Sequence, residues 1–215
     1  PQKVEKFLSQ ASVADQVFLA MRLQGENRMN MILMSPKGVE VVRALPPEEI
    51  YYMIKGRARD DCVTLLSAIS QEQLQYVFDL EWWDGHCFLP QKALEWFTLL
   101  DECDSSQILD WFLTDEFEQK IMVLQSLIKI YKRDEMTDSY EGVEGMPNFT
   151  LDGVYDIFVR VNEAEPILKK YLHQVFEQQP KLYFSLMEAV ILYTVTPTVE
   201  EALRWRLTRT SERGI

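Results

Sequence analysis

Residues 44–54, Ala44-Leu45-Pro46-Pro47-Glu48-Glu49-Ile50-Tyr51-Tyr52-Met53-Ile54, decide the fold. They return 24 residues later as Ala68-Ile69-Ser70-Gln71-Glu72-Gln73-Leu74-Gln75-Tyr76-Val77-Phe78. Each stretch has a break, a first turn whose acids or glutamines face the positive end of a helix dipole, and an apolar back half. A shorter helix near 60–68 lies between them. A third, wider-spaced copy reads Asp104-Ser105-Ser106-Gln107-Ile108-Leu109-Asp110-Trp111-Phe112-Leu113. No such unit buries its apolar side alone, so neighbours must stack, which is the logic of helical solenoids. An ordinary helical bundle with accidental similarity is the plainer alternative.

Working outward, helical punctuation continues. Ser12 caps a helix over 12–24, with Asp15 in its first turn, Val17, Phe18 and Met21 as its apolar stripe and Gly25 closing it. Thr114, with Asp115 and Glu116, opens a regular helix whose Phe117, Ile121, Leu124, Ile128 and Tyr131 recur at helical spacing as far as Lys132-Arg133. Residues 134–153 then gather acids and glycines, and the helix must stop. Asp152-Gly153 between Phe149-Thr150-Leu151 and Val154–Val159 predicts a small β-hairpin with a type I′ turn. A loop followed by a helix is the alternative, because two strands alone are marginal. After Pro166 the helical period returns. The run 182–193 leaves almost no polar face, which predicts a central, buried helix, and Thr196-Pro197-Thr198 starts a final helix with an Arg-rich end.

Charge and composition bound the function. The 215 residues carry a net charge of −12, and 47% are hydrophobic, enough for a packed interior. The charge falls unevenly: +2 over residues 1–60, −14 over 61–160 and 0 over 161–215. A surface this negative repels a phosphate backbone, so nucleic acid is not an expected partner. Arg204, Arg206, Arg209 and Arg213 are read as a solvated helix face. No apolar run is long enough for a membrane span. Cys62, Cys87 and Cys103 are three, without a CxxC pair, which excludes a disulfide framework and a zinc ribbon. Free thiols and the absence of an apolar leader predict a cytoplasmic protein. The Pro1 start and the unfinished Ser211-Glu212-Arg213-Gly214-Ile215 end read as a fragment of something larger.

The stretch Leu45-Pro46-Pro47-Glu48-Glu49-Ile50 through Leu65–Leu74, continuing to about Lys132, resembles the N-terminal cytosolic domain of MgtE-type magnesium transporters. It is similar to their short "L-x-P-x-E/D-I/L" helices wound into a right-handed superhelix, and to the helical repeats of the flagellar motor switch protein. The resemblance covers roughly 36–135. It implies a superhelical fold and a scaffold or sensor character. Without a membrane segment or a CBS-like βαβ pattern, it carries over neither the transporter function nor any functional residue.

The supply of chemistry is thin. His86 and His173 are the only histidines, and there is no GxSxG, P-loop, GxGxxG or HExxH. His86-Cys87 are sequence neighbours, which usually point apart. In Glu81–Pro90, two adjacent tryptophans cannot share one helix stripe. Trp82 and Trp83, with His86 beside them, are therefore the candidate partner-binding residues, one ring being left exposed as an anchor; the plainer reading has both wedged between helices. Asp134, Asp138, Glu141 and Glu144 are the candidate ligands for Mg²⁺ or Ca²⁺, since hard cations take oxygen donors from flexible acidic loops. Their spacing fails the EF-hand order, and a solvated acidic loop is the plainer reading.

The sequence therefore predicts a mainly all-α protein. It divides into a helical lead-in over 1–35, a repeat region over 36–133, an acidic loop and possible hairpin over 134–161, and a C-terminal helical region over 162–215. The expected role is a non-enzymatic interaction or regulatory module, free of a required cofactor, that binds another protein or another domain of the same polypeptide. The alternatives are a divalent-cation-responsive regulatory domain and, third, a carboxylate-based hydrolase.

Overall fold

The structure is a computed structural model that describes residues 2–55, 59–103, 106–133 and 141–214. It is mainly helical. In chain order come α1 (Gln2–Gln10), α2 (Val13–Arg22), α3 (Gly25–Met34), α4 (Gly38–Ala44), α5 (Pro47–Lys55), α6 (Arg59–Ala68) and α7 (Gln71–Glu81). A hairpin of β1 (Trp83–Asp84) and β2 (Cys87–Phe88) follows, then α8 (Pro90–Glu102), α9 (Gln107–Phe112) and α10 (Phe117–Leu127). Next are β3 (Ile128–Lys132), β4 (Asn148–Phe149) and β5 (Tyr155–Val159), and last α11 (Glu165–Gln178), α12 (Pro180–Leu192) and α13 (Val195–Glu212). Among the described residues, no helix is long and apolar enough to cross a membrane.

The chain packs as two compact units, Pro1–Leu80 with Glu102–Ser105, and Glu81–Asp101 with Ser106–Ile215. The division falls inside the span 36–133 read as one region from the sequence.

In the first unit, short helices are set by local caps and then joined by buried amides. Ser12 accepts from the Asp15 amide at the start of α2. At α7, Ser70 and Gln73 cap each other: Ser70 N donates to Gln73 Oε1 at 2.9 Å, and Gln73 N to Ser70 Oγ at 3.2 Å. The other end of the Gln73 amide donates to the carbonyls of Val42 and Leu45, both at 2.8 Å, so it closes the C-terminus of α4. Gln16 does the same for α1, donating to Leu8 O at 2.9 Å and Ala11 O at 3.3 Å. A helix end leaves carbonyls without intrahelical partners, and here a glutamine from a later helix satisfies them. This device also decides which face of α2 is buried. Gln16 and Ala20 point inward, whereas Phe18 and Met21, expected as part of the apolar stripe, are exposed.

The two aligned stretches form α5 and α7, but their equivalent positions do different work. Glu49 takes the Arg28 guanidinium, while Gln73 takes carbonyls. Of the third copy, Asp104 and Ser105 lie outside the described residues, and its apolar half is α9.

In the second unit, the long helix expected from Thr114 to Lys132 is shorter. It ends at Leu127, and the chain continues straight into β3. Ile128-Lys129-Ile130-Tyr131-Lys132 alternates buried and less buried residues with the period of a strand. It pairs antiparallel with β5 along its whole length, from Ile128 opposite Val159 to Lys132 opposite Tyr155. The expected hairpin is present as β4 and β5, with Phe149 opposite Ile157. Its connection is the loop 150–154 rather than a two-residue turn. Gly153 takes φ 71°, and the Asp152 carboxylate accepts from the amides of Val154 (2.8 Å) and Tyr155 (2.9 Å). The sheet order is β3-β5-β4, and α12 packs on β3.

Candidate functional site

The aromatic insertion folds as a hairpin with both tryptophans inside. Gly85 at φ 56° turns the chain, and Leu89 N donates to Trp82 O at 2.7 Å. Trp82 is 0% exposed and meets the rings of Phe88, Phe97 and Trp111 edge-on, with centroids 5.7–6.3 Å apart. Trp83 is 6% exposed. It packs on Phe88 and is covered by Arg206, whose guanidinium sits 5.4 Å from the indole and donates to Gly85 O at 2.8 Å. The expectation of one exposed anchor ring is corrected here. A reversal directly after α7 lets neighbouring rings reach separate parts of one interior, which a single helix stripe would forbid. Only the tip, with His86 and Cys87, faces solvent. The arginines of α13 are not all a solvated face either: Arg206 clasps the hairpin, and Arg209 reaches Glu116 at 2.8 Å.

Of the four carboxylates predicted to take a metal, Asp134 and Asp138 lie outside the described residues. Glu141 receives cationic and hydroxyl donors on its carbonyl, from Lys129 Nζ at 3.0 Å and Tyr131 OH at 2.6 Å. Glu144 folds back on its own turn. Backbone amides, including Gly142 N at 3.2 Å, hold its carboxyl below the usual carboxylate range. Among the described residues, no three His, Cys, Asp or Glu side chains are grouped to hold a metal ion.

Several titratable groups are strongly placed. Asp101 Oδ1 accepts from Lys170 Nζ at 2.6 Å and Tyr171 OH at 2.8 Å, and burial followed by that carboxylate pushes Tyr171 up to about 12. Fully buried Lys120 donates to Thr114 O, and its ammonium lies 6.0 Å from the Trp111 ring. Burial pushes it down to about 8, against the pull of Glu116, Asp115 and Glu118. In the unfolded chain the same group titrates near 10.5. Between about pH 8 and 10 the unfolded state therefore holds more protons, and the stability of the native chain is expected to rise with pH by about 2 kcal/mol relative to Lys120→Met. Denaturant unfolding of both proteins across that window checks this; parallel curves would mean that Lys120 carries no burial penalty. Its geometry is that of a clamp on the turn after α9.

The feature left over is at the meeting of α12 and α13. The run expected to be buried all round turns only Tyr183, Leu186, Met187 and Ala189 inward. Its other face continues past the helix end as exposed apolar side chains: Ile191, Leu192 (70%), Tyr193 (52%) and Val195 (59%). The corner is fixed from inside, because the amide of Gln125 on α10 donates to Tyr193 O at 2.7 Å and Val190 O at 3.4 Å. The carboxylate nearest along this face, Glu188, is already engaged by the Lys132 ammonium at 3.0 Å and by the Tyr155 hydroxyl. These contacts hold it below the usual carboxylate range, the Tyr155 hydrogen bond first. The face can thus be covered without stranding a charge. The signal was in the sequence: an all-round apolar helix was read as buried, although much of one face is exposed.

The first unit has an apolar cleft of about 460 Å³ lined by Met29, Ile32, Val39, Val42, Val63 and Ala68 among others. Its Ser35 and Ser67 hydroxyls are spent on Gln16 and on the Val63 and Cys103 carbonyls.

A protein-family model described as "Family of unknown function (DUF6178)" matches residues 5–215. No curated protein and no solved structure matches the chain.

Proposed function

We propose that this chain, which belongs to that family of unknown function, is a non-enzymatic interaction or regulatory module. It binds another protein, or another domain of the same polypeptide, through the apolar corner where α12 meets α13. One observation carries the reading: Leu192, Tyr193 and Val195 are exposed on a backbone that Gln125 holds in place. Ordered apolar side chains gathered at one surface mark an interaction site, and an aromatic ring among them is the usual composition of a binding hot spot. A preformed corner also binds without the ordering penalty that a flexible segment incurs. The resemblance of 36–135 to a regulatory scaffold domain supports the same role, and no residue is carried over from it.

The test is photo-crosslinking in the cell of origin, with the photoreactive residue placed at Leu192 of the full chain and, as a control, at exposed Glu163. The expected result is one recurrent adduct from position 192, none from 163, and loss of that adduct when Tyr193→Asp is added. Equal labelling from both positions, or an adduct indifferent to Tyr193→Asp, would sink the reading.

A further inference from the structure

Next to the corner, α13 turns a face to solvent that the described residues leave exposed. Thr198, Ala202 and Thr210 of this 18-residue helix are buried. On the opposite side, by the 3.6-residue turn, stand Pro197, Glu200, Arg204, Leu207 and Thr208, all exposed. A shallow groove of about 500 Å³ runs along Glu200, Leu203, Arg204, Leu207, Thr208 and Ser211.

We infer that the occupant of this surface is a second copy of the chain, paired antiparallel along α13 about a two-fold axis level with Ala202. The inference rests on reading the corner as an interface, and it names what covers it. Its ground is charge and register. In an antiparallel pair with the axis at Ala202, Glu200 lies opposite the partner's Arg204, and symmetry makes the same pair twice. Pro197 then lies opposite the partner's Leu207, and Thr196 opposite the partner's Thr208. No like charges meet. An axis two residues earlier sets Glu200 against itself, an axis two residues later sets Arg204 against itself, and a parallel pair repeats both clashes. Opposed helix dipoles favour the antiparallel choice as well. Arg204 already holds Glu201 of its own helix, yet a guanidinium has five donors on a planar fork and can take a second carboxylate. The same register sets Leu192–Val195 level with the partner's Arg209–Glu212, the last turn of its α13. Leu207 against the partner's Pro197 then supplies apolar contact at both ends of the pair, and the reciprocal ion pairs fix register.

The experiment is sedimentation equilibrium of the full chain from low to high micromolar concentration, with circular dichroism to confirm folding. Both charged side chains are exposed, so the fold is expected to be unchanged in every variant. The wild type should follow a monomer–dimer equilibrium. Glu200→Arg alone and Arg204→Glu alone should each weaken it by about tenfold or more, and the double variant E200R/R204E should restore it. A wild type that stays monomeric throughout overturns the inference, as does a dimer indifferent to the single reversals or one that the double swap fails to recover. A monomer that still gives the Tyr193-dependent adduct removes the second copy and leaves the corner to a different protein, so the two readings fail separately.

Discussion

Trp82→Ala is expected to lower the stability of the folded chain by roughly 3–5 kcal/mol, the range for deleting a fully enclosed aromatic side chain. The indole is 0% exposed, and three other rings close on it. Those rings also hold one another, with Phe97 and Trp111 5.3 Å apart and Trp111 and Phe112 5.0 Å apart. Interlocked edge-on rings cannot slide into the space left behind without giving up their own contacts, so the cavity term should approach its full value. Trp82→Phe keeps part of the ring and should lose less than half as much. Urea unfolding followed by circular dichroism measures both. A loss below about 1 kcal/mol for the alanine variant would mean that the indole is not part of a packed interior. The hairpin tip and the Arg206 clasp are built on this cluster, so a variant that stays folded should still show a loosened tip, seen as faster alkylation of exposed Cys87.

Helix starts were legible in the sequence because their signals are local. Ser12 with Asp15, Ser70 with Gln73 and the Pro46-Pro47 break each act within one turn, and each begins a helix as read. What was lost depends on distant chain. Ile128 and Tyr131 continue the helical period of Phe117–Leu124 and equally begin the alternation of a strand. The choice is made by β5, whose pairing residues come more than twenty positions later. Which face is buried was also hidden. Gln16 is inside and Phe18 outside because Gln16 closes the end of α1, a contact that no window around α2 contains. The candidate sites divide in the same way. Trp82 and Trp83 were rightly found unusual, but a helix stripe was the wrong frame for a hairpin. Leu192 and Tyr193 looked like core, because composition reports apolar character and not which face of the helix the fold leaves exposed.

Gln73→Leu should lower stability by about 3 kcal/mol although it removes almost no volume, because the effect is one of stranded polar groups. Gln73 is 2% exposed, and its side-chain amide serves three ends at once, the carbonyls of Val42 and Leu45 and the Ser70 amide, while its backbone N–H donates to the Ser70 hydroxyl in either variant. Val42 O keeps a second donor in Leu45 N. Leu45 O and Ser70 N lose the side chain that meets them in the interior. An unsatisfied buried group costs about 1–3 kcal/mol, and two such groups set the expected size. A companion variant separates this account from simple packing. In Gln73→Glu the carboxylate still accepts from Ser70 N, yet it presents oxygens to the two carbonyls it should donate to. That carboxyl is then expected to titrate above its unfolded value near 4.3, since only the protonated form can donate to a carbonyl. The sign follows: the deficit of Gln73→Glu is full at neutral pH and shrinks as pH falls through the raised value, while that of Gln73→Leu stays flat. Unfolding curves of both variants from neutral to mildly acidic pH make the comparison. If the two lose the same stability at every pH, the buried amide does not close α4, and the joining of short helices by glutamine side chains has to be given up.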